Sequence, residues 1–244
     1  MKRKLKRYLM IILISLAVIA PGCLDDDEYS LGKIWIGFGM VEQVNQDPPE
    51  YSITMDNGDV LTPVASDYNY PWYYDDSSDS RLKTGDRILI SYTILGDDAG
   101  ESGEVSEYFI KVNSVKKILL KGILDITPEN QDSIGNDPVI VEDHWITDSL
   151  LNFELKYWGH YKIHFINLVK EPGEITEGSQ PIELELRHND NDDVKDYQYS
   201  AFVSFSLNEL KIAGLDSVKF RVTSTDYNGD LFEYEGVFHY GENN

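Results

Sequence analysis

The stretch PIELELR, residues 181–187, alternates apolar and charged side chains without a break. Ile182, Leu184 and Leu186 fall on one side of an extended chain, and the charged residues between them fall on the other. An apolar residue at every second position is the pattern of a β-strand with one face against a core and the other in water. The stretch therefore predicts a sheet with one buried face.

The same alternation recurs in DRILISYTIL (86–95), DSVKFRVTS (216–224) and KIWIGFGMV (33–41). In the last of these, one face carries four apolar residues, namely Ile34, Ile36, Phe38 and Met40, and the other carries Trp35, Gly37 and Gly39. Turn sequences such as DNGD (56–59) and YNGD (227–230) separate the runs. Because no stretch sustains a helical period, the protein is predicted to be all-β.

The predicted strands form two sets. Residues 33–124 contain a first set of five, the strand number of an OB-like Greek-key barrel: 33–44, 51–56, 59–64, 86–95 and 107–119. Residues 125–138 are polar, contain Pro128 and Pro138, and are predicted to be a linker. Residues 139–244 contain seven further short strands, the pattern of a β-sandwich: 139–147, 150–158, 161–169, 181–188, 199–206, 217–225 and 231–240.

Residues 1–22 have the features of a secretory signal. The basic start MKRKLKR is followed by an apolar run of about 12 residues, whereas a spanning helix needs roughly 20. Cys23, the single cysteine of the chain, follows this segment in an arrangement that resembles a bacterial lipobox. We therefore predict that Cys23 is acylated and begins the mature chain, with residues 23–32 as an acidic tether. Cleavage that releases a soluble protein is the alternative.

The charge balance narrows the choice of partners. The chain has 21 Lys and Arg against 43 Asp and Glu, a formal net charge of −22. Such a chain repels phosphate backbones, so we expect no nucleic-acid partner. It also repels anionic lipid head groups, so attachment to the outer membrane would rest on the lipid anchor rather than on a basic patch. With 41% hydrophobic residues the chain can still form packed cores.

Several stretches together resemble the NigD-like lipoproteins of Bacteroides-type bacteria: YSLGKIWIGFGMVE, YSITMDNGDVLTPVA, GDRILISYTIL, DSIGNDPVIVEDHWI, INLVK, IELELRHN and DSVKFRV. The resemblance implies an N-terminal OB domain and a C-terminal β-sandwich, and it brings no catalytic residues. The family name derives from a bacteriocin locus, which implies a role in immunity or envelope stress. An acidic run after the lipidated cysteine resembles an export signal to the cell surface. In this chain the run is Asp25, Asp26, Asp27 and Glu28.

Two groups of residues carry side chains that bind metal ions in other proteins. His160 and His164 share a face of a predicted strand, but a spacing of four residues would hold them roughly 13 Å apart, so no zinc site is expected. The stretch NDNDD (189–193) contains Asp190, Asp192 and Asp193, whose oxygens would suit Ca²⁺. The alternative is a solvated hairpin loop. No other cofactor is expected.

The last candidate is an aromatic loop, DYNYPWYY (67–74). It would stack against a sugar or grip a peptide if its rings are exposed, and would act as a plug if they are buried. The rings belong to Tyr68, Tyr70, Trp72, Tyr73 and Tyr74. Because the common nucleophile and phosphate-binding motifs are missing, the sequence favours a non-catalytic, surface-displayed lipoprotein that binds a protein or glycan. The alternatives are a bacteriocin-immunity or envelope-stress protein and a carboxylate-dependent glycan hydrolase.

Overall fold

The computed structural model describes residues 30–46, 49–66, 82–98 and 105–241. In these ranges the chain is almost entirely β, as predicted. The strands are β1 (Trp35–Gln46), β2 (Pro49–Met55), β3 (Val60–Ser66), β4 (Arg87–Asp98), β5 (Glu107–Lys121), β6 (Ile123–Asp125), β7 (Ile140–Thr147), β8 (Leu150–Gly159), β9 (Phe165–Lys170), β10 (Ile182–Asn189), β11 (Tyr197–Ser206), β12 (Ser217–Thr225) and β13 (Leu231–His239). One short helix, α1 (Gln131–Ile134), and two 3₁₀ turns (Glu177–Ser179 and Asn208–Leu210) complete them.

The first five strands close into a barrel. Around the barrel the order is β1-β2-β3-β5-β4, and β4 returns to β1. Every neighbouring pair is antiparallel except β3 and β5, which run parallel. This is the Greek-key connectivity of a five-stranded OB-like barrel. Its interior is filled by side chains that include Ile53, Leu61, Ile88, Ile90 and Ile110.

Strand β1 turns its glycine face, not its apolar face, into the barrel. A Cβ added to Gly37 would lie 2.7 Å from Cε of Met55, and one on Gly39 would lie 2.8 Å from Cγ2 of Ile53. The interior side chains thus occupy the space that the glycines leave free. The apolar face of β1 lies outside the barrel, where Phe38 packs against the second module.

The remaining strands form a sandwich of two sheets. Strands β11, β8 and β7 form one sheet with the end of β5, and the order β13-β12-β10-β9-β6 forms the other. Ile182, Leu184 and Leu186 lie in the core between the two sheets, as the alternation of PIELELR predicts. β10 pairs antiparallel with β9 and parallel with β12.

The barrel and the sandwich share β5. Its last residues, Leu119–Lys121, pair in parallel with Val203–Phe205 of β11, so strands of both modules belong to one eight-stranded sheet. After Gly122 the chain crosses to the opposite sheet, where β6 pairs in parallel with β9. The strands of the sandwich therefore begin at Ile123, before the position predicted from the sequence.

A buried ion pair of the barrel contacts the sandwich beside this shared strand. The guanidinium of Arg87 on β4 binds the carboxylate of Asp56, with Nη2 to Oδ2 at 2.6 Å, and Arg87 is 1% exposed. Nη2 also donates to Oδ1 of Asn152 on β8 at 3.2 Å. From β7, the hydroxyl of Thr147 donates to Oδ2 of Asp56 at 3.1 Å. Polar side chains of the barrel and of the sandwich therefore form hydrogen bonds with each other at the junction.

Aromatic rings cover this ion pair. The ring of Phe38 lies 5.4 Å from that of Trp145 and 5.1 Å from that of Phe202, centroid to centroid. The Arg87 guanidinium lies 5.4 Å from the centroid of Phe38. The outward face of β1 is thus apolar because the sandwich packs on it.

Residues 125–138 are folded onto the sandwich rather than extended between modules. Ile134 of α1 is buried, and the amide of Asp137 donates to the carbonyl of His188 at 2.8 Å. The segment thereby covers one end of β10. No helix of the described ranges is long and apolar enough to cross a membrane.

Strand β9 begins later than predicted. The sequence indicated a strand over 161–169, but the structure places residues 160–164 in a loop and starts β9 at Phe165. The loop forms because β8 must turn back at Gly159 to reach the opposite sheet. This difference brings His164 into a cluster that the predicted strand would not form.

Candidate functional site

Exposed aromatic side chains gather beside the Gly159 end of β8, opposite the end that carries the β7–β8 hairpin. They come from the β8–β9 loop (160–164) and from the first residues of β11. Tyr161 is 70% exposed, Tyr197 is 58% exposed and Tyr199 is 40% exposed. Together with His160 they are named the tyrosine surface. Exposed aromatic groups of this kind mark binding sites more often than scattered aliphatic side chains do.

The rings of the tyrosine surface are arranged around His160. The centroid of the His160 ring lies 5.2 Å from that of Tyr161 and 5.4 Å from that of Tyr197. Nδ1 of His160 lies 2.8 Å from Oδ2 of Asp196. The hydroxyl of Tyr199 donates to the carbonyl of His160 at 3.1 Å. Contacts with His160 therefore hold the side chains of the tyrosine surface in fixed positions relative to one another.

A buried carboxylate, that of Asp193, fixes the loop that carries Tyr161. Its Oδ2 accepts the backbone N–H groups of His160 at 2.6 Å, Tyr161 at 3.1 Å and Lys162 at 3.2 Å. Its Oδ1 accepts the N–H of Val194 at 2.9 Å. Three successive amides thus converge on one oxygen, and the loop has little freedom to move.

The charge state of Asp193 follows from these contacts. Burial raises the pKa of its carboxyl, but the amides of His160 and Lys162, the ring of His164 and the amide of Val194 outweigh burial. The pKa therefore lies below its ordinary value. Asp193 is an anion at neutral pH, which strengthens its bonds to the loop.

Two histidines continue the hydrogen-bond chain inward from Asp193. Nε2 of His164 lies 3.3 Å from Oδ2 of Asp193, and its Nδ1 lies 2.8 Å from Nε2 of His188. Nδ1 of His188 lies 2.8 Å from the carbonyl of Pro138. That carbonyl can only accept, so Nδ1 of His188 carries a proton and donates.

This pattern assigns the remaining protons. Burial lowers the pKa of His188 and the neighbouring His164 lowers it further, so His188 is neutral and its Nε2 accepts. His164 then donates through Nδ1 to His188. Nε2 of His164 faces the carboxylate of Asp193. The cluster therefore runs from a carboxylate through two imidazole rings to a carbonyl.

Close packing holds this cluster in place. The ring of Tyr157 lies 4.7 Å from that of His164 and 5.5 Å from that of His188. A Cβ added to Gly159 would lie 2.7 Å from Nε2 of His164 and 3.1 Å from Oδ2 of Asp193. Glycine is therefore the residue that lets β8 approach the pair.

The three aspartates considered as calcium ligands have different surroundings. Oδ1 of Asp190 accepts the N–H of Asp192 at 2.9 Å, and Oδ2 lies 3.6 Å from Nζ of Lys195. Asp192 is exposed, while Asp193 serves the loop. Nowhere in the described ranges do three or more His, Cys, Asp or Glu side chains form a group that could hold a metal ion. Calcium binding stays a prediction without geometric support.

The other predicted sites lie outside the described residues. They comprise the acylation site Cys23, the export signal at Asp25, Asp26, Asp27 and Glu28, and the aromatic loop with Tyr68, Tyr70, Trp72, Tyr73 and Tyr74. The acylation site, the export signal and the aromatic loop therefore stay predictions from the sequence.

Sequence reasoning missed the tyrosine surface and its supporting cluster. His164 and His188 are 24 residues apart, and only the antiparallel pairing of β9 with β10 brings them together. One signal was available in HYKIHF (160–165), where aromatic and histidine side chains lie close together beside a glycine. The stretch was interpreted as part of a strand, so this signal led neither to the loop nor to its partners.

The sequence of the C-terminal part matches one protein family. Residues 122–236 match the model of the NigD-like C-terminal beta sandwich domain, which confirms the resemblance seen in the sequence. No curated protein matches the chain.

Solved structures share the fold over most of the chain. A protein from Parabacteroides distasonis described as toxin-related is 29% identical with a TM-score of 0.65, over 85% of this chain and 94% of that one. A NigD-like immunity protein from Bacteroides caccae is 19% identical with a TM-score of 0.62, over 86% and 99%. A Bacteroides fragilis protein described as a lipoprotein is 12% identical with a TM-score of 0.56, over 87% and 100%. The last two likenesses concern the fold alone.

Proposed function

Residues 122–236 match the model of the NigD-like C-terminal beta sandwich domain, and from this premise we propose that the chain is a non-catalytic lipoprotein of the cell envelope. It is held in the outer membrane by acyl chains on Cys23 and displayed at the cell surface. There it binds a partner protein through the tyrosine surface.

The observation that carries the proposal is the exposure of tyrosines on an immobilised loop. Tyrosine is enriched among the residues that dominate protein–protein binding energies, since it offers a large apolar area and a polar tip. A side chain already held in its bound position loses little conformational entropy on association. Asp193 provides that order by fixing the amides of His160, Tyr161 and Lys162.

Similar proteins favour a protein as the partner. The Parabacteroides distasonis protein is described as toxin-related, and the Bacteroides caccae protein as an immunity protein. The first description supports a protein as the partner, whereas the second likeness concerns the fold alone. A glycan partner, the other class that the sequence allowed, becomes an outcome of the experiment.

Site-specific photo-crosslinking in living cells tests the binding site. A benzophenone amino acid replaces Tyr161 or Tyr197 in one set of variants and Leu231 in a control; Leu231 is 65% exposed and lies on β13. We expect discrete protein adducts, degradable by protease, from positions 161 and 197 and none from 231. Adducts that resist protease but yield to glycan cleavage, or the same pattern at all three positions, would contradict the proposal.

Metabolic labelling tests the anchor and the topology. Wild type and Cys23→Ser are grown with radiolabelled palmitate, and intact cells are then treated with protease. We expect label only in wild type, and loss of the protein from intact cells on protease treatment. An unlabelled wild type argues against the anchor, whereas a labelled but protected protein argues against surface display.

A further inference from the structure

The tyrosine surface has anionic groups available beside its rings, while the neighbouring cations are engaged. Nζ of Lys162 donates to the carbonyls of Asn191 at 2.7 Å and Asp192 at 2.8 Å. Lys195 lies 3.6 Å from Asp190, with its Nζ 5.5 Å from the centroid of Tyr227. Both lysines therefore serve the protein's own structure.

The carboxylates beside the rings have oxygen atoms that can still accept hydrogen bonds. Asp196 is half-exposed, with 50% of its side chain in solvent, and among the described residues only its Oδ2 has a partner, Nδ1 of His160. The carboxylate of Asp192, on the same β10–β11 loop, is exposed and makes no hydrogen bond to a described residue. A ligand approaching Tyr161 and Tyr197 thus meets carboxylate acceptors whose neighbouring lysines are engaged elsewhere.

From this arrangement we infer that the tyrosine surface recognises arginine side chains of the partner protein, an inference that rests on the proposed function. A guanidinium stacks on the faces of Tyr161 and Tyr197 and donates to Oδ1 of Asp196. Arginine suits such a site better than lysine, because its planar, weakly hydrated fork stacks on rings and pairs with carboxylates at once.

The overall charge of the chain supports the same partner. With a net charge of −22, the chain attracts a basic protein at long range and repels acidic ones. Long-range attraction alone does not distinguish arginine from lysine. The stacking on tyrosine does, and this difference makes the inference testable separately from general electrostatics.

The test compares two peptides of equal charge, fluorescent nona-arginine and nona-lysine, binding to the full chain in neutral detergent at 0.15 M salt. We expect nona-arginine to bind several-fold more tightly. We expect Tyr161→Leu or Tyr197→Leu, which keep apolar area but remove the ring, to reduce this preference by about threefold each. Asp196→Asn should weaken both peptides.

Trp35→Leu is the matched control, since Trp35 is a partly exposed ring on the barrel and its loss should leave the preference unchanged. Equal affinity of wild type for the two peptides would overturn the inference, and so would a preference that survives both tyrosine substitutions. If crosslinks at position 161 still capture a protein in either case, protein binding stands and only arginine recognition falls. If those crosslinks are absent, the proposed function itself fails.

Discussion

At the scale of single residues, Asp193 organises the candidate site. It lay within a stretch considered as a calcium loop, NDNDD, but the structure directs its oxygens to backbone amides and to His164. Its role follows from hydrogen bonding. A buried carboxylate needs donors, and the β8–β9 loop supplies backbone N–H groups that no neighbouring strand accepts. The composition of NDNDD identified a loop rich in carboxylate oxygens. The donors that bind those oxygens come from a loop about 30 residues earlier in the chain, which composition does not reveal.

The His188 environment predicts how stability depends on pH. Burial lowers its pKa in the folded state below the unfolded value of about 6.5, so the neutral form is favoured by folding. This contribution is complete above pH 6.5 and is lost as pH falls towards the folded pKa. The melting temperature should therefore fall between pH 7 and pH 5, before the carboxyl of Asp193 becomes protonated at lower pH.

Thermal melts of His188→Gln measure this contribution. We expect a lower melting temperature at pH 7 but a shallower fall towards pH 5 than in wild type, since the titrating ring is gone. His239→Gln, at an exposed position on β13, should keep the wild-type slope. An unchanged slope in His188→Gln would assign the acid sensitivity to other groups.

At the scale of elements, alternation identified strands well and their inward faces less well. PIELELR and DSVKFRVTS bury the side chains that their patterns predict. In β1 the same rule pointed to Ile36 and Phe38 as a buried face, yet Ile36 is exposed and the glycine face is inside. In a small barrel the inner volume limits side-chain size, and periodicity carries no information about that limit.

Connections were harder to predict than strands. Residues 125–138 looked like a linker from their prolines and polar side chains, but they pack against β10 through Ile134 and Asp137. Residues 161–164 looked like a strand because apolar and polar residues alternate there. In both cases long-range contacts, which local sequence does not encode, decided the outcome.

At the scale of the whole molecule, the barrel and the sandwich form a continuous structure. The order of the five barrel strands is that expected of the predicted fold. The joint itself was not predicted, because residues far apart in sequence form it. They are the paired residues of β5 and β11, the contacts of the Arg87–Asp56 pair with Asn152 and Thr147, and one aromatic cluster. A strand count suggested two units but could not reveal that β5 serves both.

Removal of Asp56 should reveal how much the Arg87–Asp56 pair at the junction contributes to stability. Asp56→Ala leaves the buried Arg87 without its carboxylate, and we expect a loss of about 3–5 kcal/mol in the free energy of unfolding. Urea unfolding followed by circular dichroism measures it. Glu142→Ala, which removes the partner of the partly exposed Lys156, should cost about 0–1 kcal/mol. A cost near that of the control would show that the Arg87–Asp56 pair contributes little.

The shared strand also determines how a mechanical load would pass through the molecule. Tyr197 lies six positions before Val203 on β11, about 20 Å along the strand from the pairing with β5. A partner that pulls on the tyrosine surface would therefore load β11 and, through its pairing with Leu119–Lys121, the last residues of β5. Because β5 also pairs with β3 and β4, and β4 pairs with β1, the load would pass through continuous strand pairing to the N-terminal strand of the barrel. In this way the shared strand would transmit tension from a captured partner to the point where the chain enters the barrel.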